Sequence, residues 1–138
     1  GNCSLVTGIA GISENIHING IIDRYLEHSR IFIFANGGEE KYYIGSADWM
    51  PRNLDNRIEV LAPVYDKEIQ ADLKRIVCYG YRDTAKGRIV DGTGENRPWE
   101  NRPSTLCKDF TPALAEAETA TVVFRSQEEL YRKYKNTL

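Results

Sequence analysis

Between residues 28 and 59 the chain reads HSRIFIFANGGEEKYYIGSADWMPRNLDNRIE, a stretch rich in side chains that handle a charged substrate. His28 is its one histidine. An imidazole titrates near neutrality, so it can attack phosphorus or give a proton to a leaving oxygen. Lys41, Arg52 and Arg57 are cations, and a guanidinium fork matches phosphate oxygens in pairs. Turn amides around Gly45 and Ser46 would add neutral donors. Glu59 lies in the apolar run RIEVLAPV, where a carboxylate must be paired or face a polar cleft. His28 and Glu59 are therefore the candidate catalytic pair. His28, Arg52, Arg57, Ser46 and Asn53 are the candidate phosphate ligands.

Each of these residues also has a plainer use. His28 reads equally as a surface histidine at a helix end, and Glu59 as the partner of Arg57 on the same strand face. Asp48, Asn53 and Asp55 suit helix caps and turns. Trp49 and Met50 read as core rather than as a platform for a base.

The elements that must position these groups follow from pattern. Cys3 reads as core in the apolar run CSLV at residues 3–6, which suits the end of a buried strand, and Ser13-Glu14-Asn15 opens a polar turn. A short strand is expected around Ile16–Asn19. Ile21, Ile22, Tyr25 and Leu26 fall at helical spacing and predict a helix that ends at His28, whose terminal carbonyls would favour a protonated ring. Arg30–Ala35 and Lys41–Ile44 predict a hairpin across Asn36-Gly37-Gly38, residues that accept positive φ. Trp49–Leu54 predicts a short helix and Arg57–Val64 a third strand. Asp66 can cap a helix striped by Ile69, Leu73, Ile76, Val77 and Gly80. Gly87–Asp91 suggests another strand. Residues 92–123 read as a long, variable surface loop, with an ambiguous Ala-rich part at 113–120. Ser126 and Glu129 suggest a capping box opening a terminal helix. Alternating strands and helices point to an α/β layer fold, a mixed β-sheet flanked by helices.

The 138 residues suit one domain, and 41% hydrophobic with 28% charged residues is a globular composition. A net charge of −2 gives no argument for nucleic acid or membrane attraction. No apolar run approaches a membrane span. Three cysteines without a CxxC or metal spacing argue against a disulfide framework and for a reducing, cytoplasmic setting. The start at Gly1, without methionine, reads as a piece of something longer. No P-loop, GxGxxG, HExxH or GxSxG is present, so phosphate would have to be held by arginines.

The runs IIDRYLEHSRIFIFANGG and YIGSADWMPRNLDNRIEVLAPV closely resemble the last catalytic domain of the long bacterial polyphosphate kinases, a phospholipase-D-like family. CSLV, GISEN and RSQEELY fit as well, so the resemblance covers about residues 1–91 and 124–134. It implies a pair of related α/β domains that each bring a histidine to a shared tunnel. The upstream sister domain would carry the histidine that ATP phosphorylates, and nothing here matches that domain. His28 matches the second histidine, a phosphate-binding proton donor or electrostatic stabiliser, and Arg57 and Glu59 match the family's RxE. The family's usual arginine just before the position of Gly1 is missing, and Thr7 stands where a proline is common. The resemblance further implies ATP/ADP and inorganic polyphosphate as ligands and magnesium with the nucleotide. It also implies upstream domains of the same polypeptide, a homo-oligomer, and a cytoplasmic enzyme, with membrane association at full length as the alternative.

Two other readings stand beside it. A phospholipase-D-like phosphodiesterase half-site would need HxKxxxxD, but Arg30 replaces the lysine and Ala35 the aspartate. A non-catalytic anion-binding module would tolerate the loss of His28.

Overall fold

The computed structural model describes residues 5–93, 95, 97–99, 107 and 123–135. The chain divides into two compact units, Gly1–Tyr25 with Cys78–Leu138, and Leu26–Val77.

The Leu26–Val77 unit is built on β2 (Ile31–Phe34), β3 (Lys41–Gly45) and β4 (Leu61–Val64), three antiparallel strands in that order. The expected hairpin is present, with Phe34 opposite Lys41 and Ile31 opposite Ile44. Its turn needs positive φ at Asn36, Gly37 and Gly38 (43°, 67° and 106°), which asparagine and glycine accept at low steric cost. β3 then pairs with β4 from Tyr42–Val64 to Gly45–Leu61. Between them lies the short helix α1 (Pro51–Asn56), opened by proline at its first position.

The long helix α2 (Lys67–Tyr81) starts as expected, with Asp66 Oδ1 accepting the amides of Glu68 and Ile69 at 2.9 and 3.0 Å. Its most buried residues are not the apolar stripe but Gln70, Lys74 and Cys78, four apart, while Ile69 is exposed. The burial is polar because each group is satisfied. Gln70 donates to the Val64 carbonyl at 2.7 Å. Lys74 donates to both oxygens of Glu40 at 2.9 and 3.1 Å, and the buried Tyr42 hydroxyl donates to the same carboxylate. The hydrogen bond from Tyr42, then that from Lys74, hold the Glu40 carboxyl below its ordinary range.

The other unit holds β1 (Asn19–Ile21) antiparallel to β5 (Gly87–Ile89) and the helix α3 (Ser126–Tyr134). The Asn19 side chain donates to the Gly80 carbonyl at 2.8 Å and accepts the Arg88 amide at 3.1 Å. Part of the expected surface loop packs here: Trp99 is buried, its ring edge-on to Tyr81, and its indole donates to the Tyr81 carbonyl at 2.6 Å. The Asp83 carboxylate is fully buried and accepts from the amides of Lys86, Gly87 and Ser126 and from the Ser126 hydroxyl.

Several expectations are corrected. The helix over residues 21–28 does not form. Ile21 closes β1, the Ile22 amide donates to the Lys86 carbonyl, and the chain runs without helix to Arg30. Asp23, 1% exposed at its side chain, is clamped by both forks of Arg125 at 2.5 and 2.8 Å. Those hydrogen bonds hold its carboxyl below the usual range. The third strand is shorter than expected, because Arg57–Val60 stays outside the ladder and Ile58 is 99% exposed. Trp49 is 72% exposed, stacked on Phe32 with ring centres 5.4 Å apart, and Met50 is exposed too. Leu5 and Val6 are exposed rather than the end of a buried strand, and Cys3 lies outside the described residues. The capping box is not made, since Ser126 gives its hydroxyl to Asp83. The Ala-rich part at 113–120 also lies outside the described residues.

The cysteine expectation is also overturned. Cys78 and Cys107, 29 residues apart and both buried, form a disulfide with a Cα–Cα distance of 5.5 Å. Spacing along the chain carries no sign of this approach, and the cysteine argument for a reducing compartment falls with it. In air-purified protein denatured without reductant, thiol titration should find one reactive cysteine per chain, Cys3. It should find three after reduction, and three before reduction would remove the bridge.

Candidate functional site

All the candidate site residues lie within the Leu26–Val77 unit. Three segments of it meet at the end of β3. The Gly45 amide donates to the Arg30 carbonyl at 2.9 Å and the Ser46 amide to the Val60 carbonyl at 3.0 Å. The segment with His28, the turn with Asp48 and the approach to β4 with Glu59 are thereby tied to one strand end. The same bonds commit the two amides that sequence offered as anion donors, so they are spent within the sheet.

His28 lies in irregular chain before β2, away from any helix end, and is exposed. The expected helix-dipole influence on its ring is therefore absent. What holds the ring is Arg30. Its Nη2 lies 2.8 Å from His28 Nε2, and its Nη1 donates to the His28 carbonyl at 3.3 Å. Arg30 Nε and Nη2 both reach Asp48 Oδ1 at 2.9 Å. The hydrogen bond from Arg30 draws the Asp48 carboxyl below its ordinary value, and the nearby positive charges of Arg30, His28 and Arg52 add to the effect. Asp48 thus serves as the counter-ion of Arg30. It does not cap α1 with its side chain, although its carbonyl accepts the Met50 amide at 2.7 Å.

Glu59 is half-buried and pairs with Ser46, whose hydroxyl donates to it, rather than with Arg57. The Ser46 oxygen in turn accepts the Val60 amide at 3.0 Å. Asn53 is 2% exposed within α1, and its Oδ1 has no hydrogen-bond partner among the described residues. Arg52 lies exposed on α1 and Arg57 exposed just beyond it. Among the described residues the side chains of Arg57 and Lys41 make no hydrogen bond or ion pair, which leaves both cations open to an anion.

The structure therefore joins His28 to Arg30 and Asp48, and Ser46 to Glu59. It sets Arg52 and Arg57 on the surface of the same unit and turns Asn53 inward. Arg30 and Asp48 were missed by sequence reasoning. Their separation of 18 residues carries no periodic signal, and only the HxR spacing hinted at a link. Among the described residues no group of three His, Cys, Asp or Glu side chains could hold a metal ion. No described helix is long and apolar enough to cross a membrane.

The family described as polyphosphate kinase C-terminal domain 2 matches residues 1–108. The chain belongs to that family. It is 47% identical over 124 residues to polyphosphate kinase of Escherichia coli strain K12, a match covering 86% of this chain and 18% of that protein. Polyphosphate kinase of Thermosynechococcus vestitus is 43% identical over 122 residues, covering 88% of this chain and 15% of the relative. The crystal structure of polyphosphate kinase from Porphyromonas gingivalis matches with a TM-score of 0.68 at 35% identity, over 91% of this chain and 17% of that one. The fold is thus the α/β, phospholipase-D-like class expected from the sequence. The chain spans less than a fifth of the length of these relatives.

The two pairings considered for Glu59 differ in their consequences. Ser46→Ala should lower stability by about 1 kcal/mol, since the Val60 amide and Glu59 lose their shared partner. Arg57→Ala should change it by less than about 0.5 kcal/mol, as for a surface group without a bond to lose. Chemical denaturation of both variants checks this, and the reverse order would restore the Arg57–Glu59 pair.

Proposed function

We propose that this chain is the C-terminal catalytic domain of a polyphosphate kinase. In the whole enzyme it supports ATP + polyphosphate(n) ⇌ ADP + polyphosphate(n+1), through a phosphohistidine supplied by an upstream domain of the same polypeptide. The observation that carries this reading is family membership over most of the chain, joined to a histidine with surface arginines in one unit. Exposed apolar residues of that unit, among them Leu26, Trp49, Ile58 and Tyr65, suit a chain that packs against further domains.

Phosphoryl transfer asks the protein mainly for positioning and for cationic stabilisation of oxygens in flight. Arg52 and Arg57 supply guanidinium forks for ATP/ADP and inorganic polyphosphate. His28 supplies a ring N–H as hydrogen-bond or proton donor. Glu59 is anchored by Ser46 and orients the ligand side of the site. Ser46 and Asn53 serve through the framework, one tying Glu59 to the strand end and the other buried in α1. Magnesium comes with the nucleotide, whose phosphates supply most of its oxygen ligands. The proposed setting is a cytoplasmic homo-oligomer, with ATP and polyphosphate as ligands and no nucleic acid.

The test uses the full-length polypeptide that carries these residues. His28→Ala should lower kcat for ATP-dependent polyphosphate synthesis by about 100-fold or more, the usual scale for loss of a general acid or base. The 138-residue chain alone should show no synthesis. Wild-type turnover in His28→Ala would remove His28 from the site. Synthesis by the chain alone would overturn the upstream phosphohistidine.

A further inference from the structure

The contact between Arg30 and His28 has a chemical consequence. A guanidinium carries only donors and stays protonated in proteins. An Nη2–Nε2 distance of 2.8 Å is a hydrogen bond, so Nε2 must be the acceptor. A ring whose Nε2 accepts carries its proton on Nδ1.

Arg30 is well held for this task. Its backbone carbonyl accepts the Gly45 amide at 2.9 Å, which fixes the residue to the end of β3. Its side chain is 19% exposed, and two of its nitrogens reach Asp48 Oδ1 at 2.9 Å. The Nη1 contact with the His28 carbonyl at 3.3 Å ties the same fork to the histidine backbone. Charge, backbone and side chain all restrict where the guanidinium can point.

From this geometry we infer that Arg30, braced by Asp48, is a positioning residue that holds His28 as the Nδ1–H tautomer. Nδ1–H is then the ring atom left to meet a phosphate oxygen, while the Nε2 lone pair is engaged. The inference rests on the reading of His28 as part of a phosphate site, and it narrows that role. His28 gives a hydrogen bond or a proton through Nδ1 and does not accept the phosphoryl group at Nε2.

The tautomer is read directly by long-range proton–nitrogen NMR on the labelled chain at pH 8. The other histidine, His17, is exposed and serves as the internal control. His28 should show a protonated Nδ1 and an unprotonated Nε2, whereas His17 should show the Nε2–H form that a free side chain favours. Arg30→Met should return His28 to the Nε2–H form. Asp48→Ala releases Arg30 without touching His28 and should move the ring the same way, so a folding defect in one variant does not decide the matter. Arg30→Lys keeps the charge with a single point donor and should recover part of the Nδ1–H population. An Nε2–H ring in the wild type overturns the inference. In the full-length enzyme Arg30→Met should lower kcat about 10- to 100-fold, the scale typical for loss of an orienting partner of an active group, with partial rescue by Arg30→Lys. Unchanged kcat alongside an altered tautomer overturns the positioning role. If His28→Ala itself keeps full turnover, the phosphate site fails while the tautomer result stands on its own.

Discussion

The hydrogen bonds at the end of β3 are the constraint on which the candidate site depends. Gly45 and Ser46 give their amides to Arg30 and Val60, and so join segments that precede β2 and β4. The approach is tight. A Cβ at Gly45 would lie 3.1 Å from both Leu61 Cδ1 and Phe32 Cε2, so a larger residue would require those side chains to give way by a few tenths of an ångström. The His28–Arg30–Asp48 and Ser46–Glu59 contacts hang from this junction. Arg30 reaches back to His28 and across to Asp48, and Ser46 reaches across to Glu59.

A site assembled this way is held by backbone bonds and short-range ion pairs, with little apolar burial behind it. The same economy runs through both units. Lys74, Glu40 and Tyr42 fill the interior between α2 and its sheet, and Asp83 collects four donors at the start of α3. Such networks are favourable only when each member is satisfied, because an unpaired buried polar group costs more than a hydrogen bond returns. They also tie stability to ionisation. The Glu40 and Asp23 carboxyls are held below their ordinary values by their partners. Their contribution is complete above the unfolded pKa and is lost as the pH falls through the lowered folded value.

What was legible in the sequence was local. The Asn36-Gly37-Gly38 turn, the hairpin around it and the Asp66 cap each depend on residues a few positions apart, and each is present in the structure. What was not legible depends on partners far along the chain. The helical spacing at Ile21–Leu26 is genuine, but Asp23 is claimed by Arg125, 102 residues away, and Ile21 by β5. The capping box at Ser126 failed for the same reason, its hydroxyl being taken by Asp83. For the candidate site, residue type alone offered His28, Arg52, Arg57 and Glu59, and the structure sets them in one unit. The Ser46–Glu59 and Arg30–Asp48 pairs could not, since each crosses between segments that only the ladder brings together. The resemblance to polyphosphate kinases reached further than pattern because a run such as SADWMPRNLD encodes the outcome of such distant contacts.

The most direct measurement is calorimetric titration of ATP–Mg²⁺ and a short polyphosphate into the wild-type chain and into His28→Ala. Weak binding by the wild type that falls in the variant is expected if this unit builds a phosphate site around His28. Equal affinity in the two proteins, or no binding by the wild type, would contradict a phosphate site built within this chain.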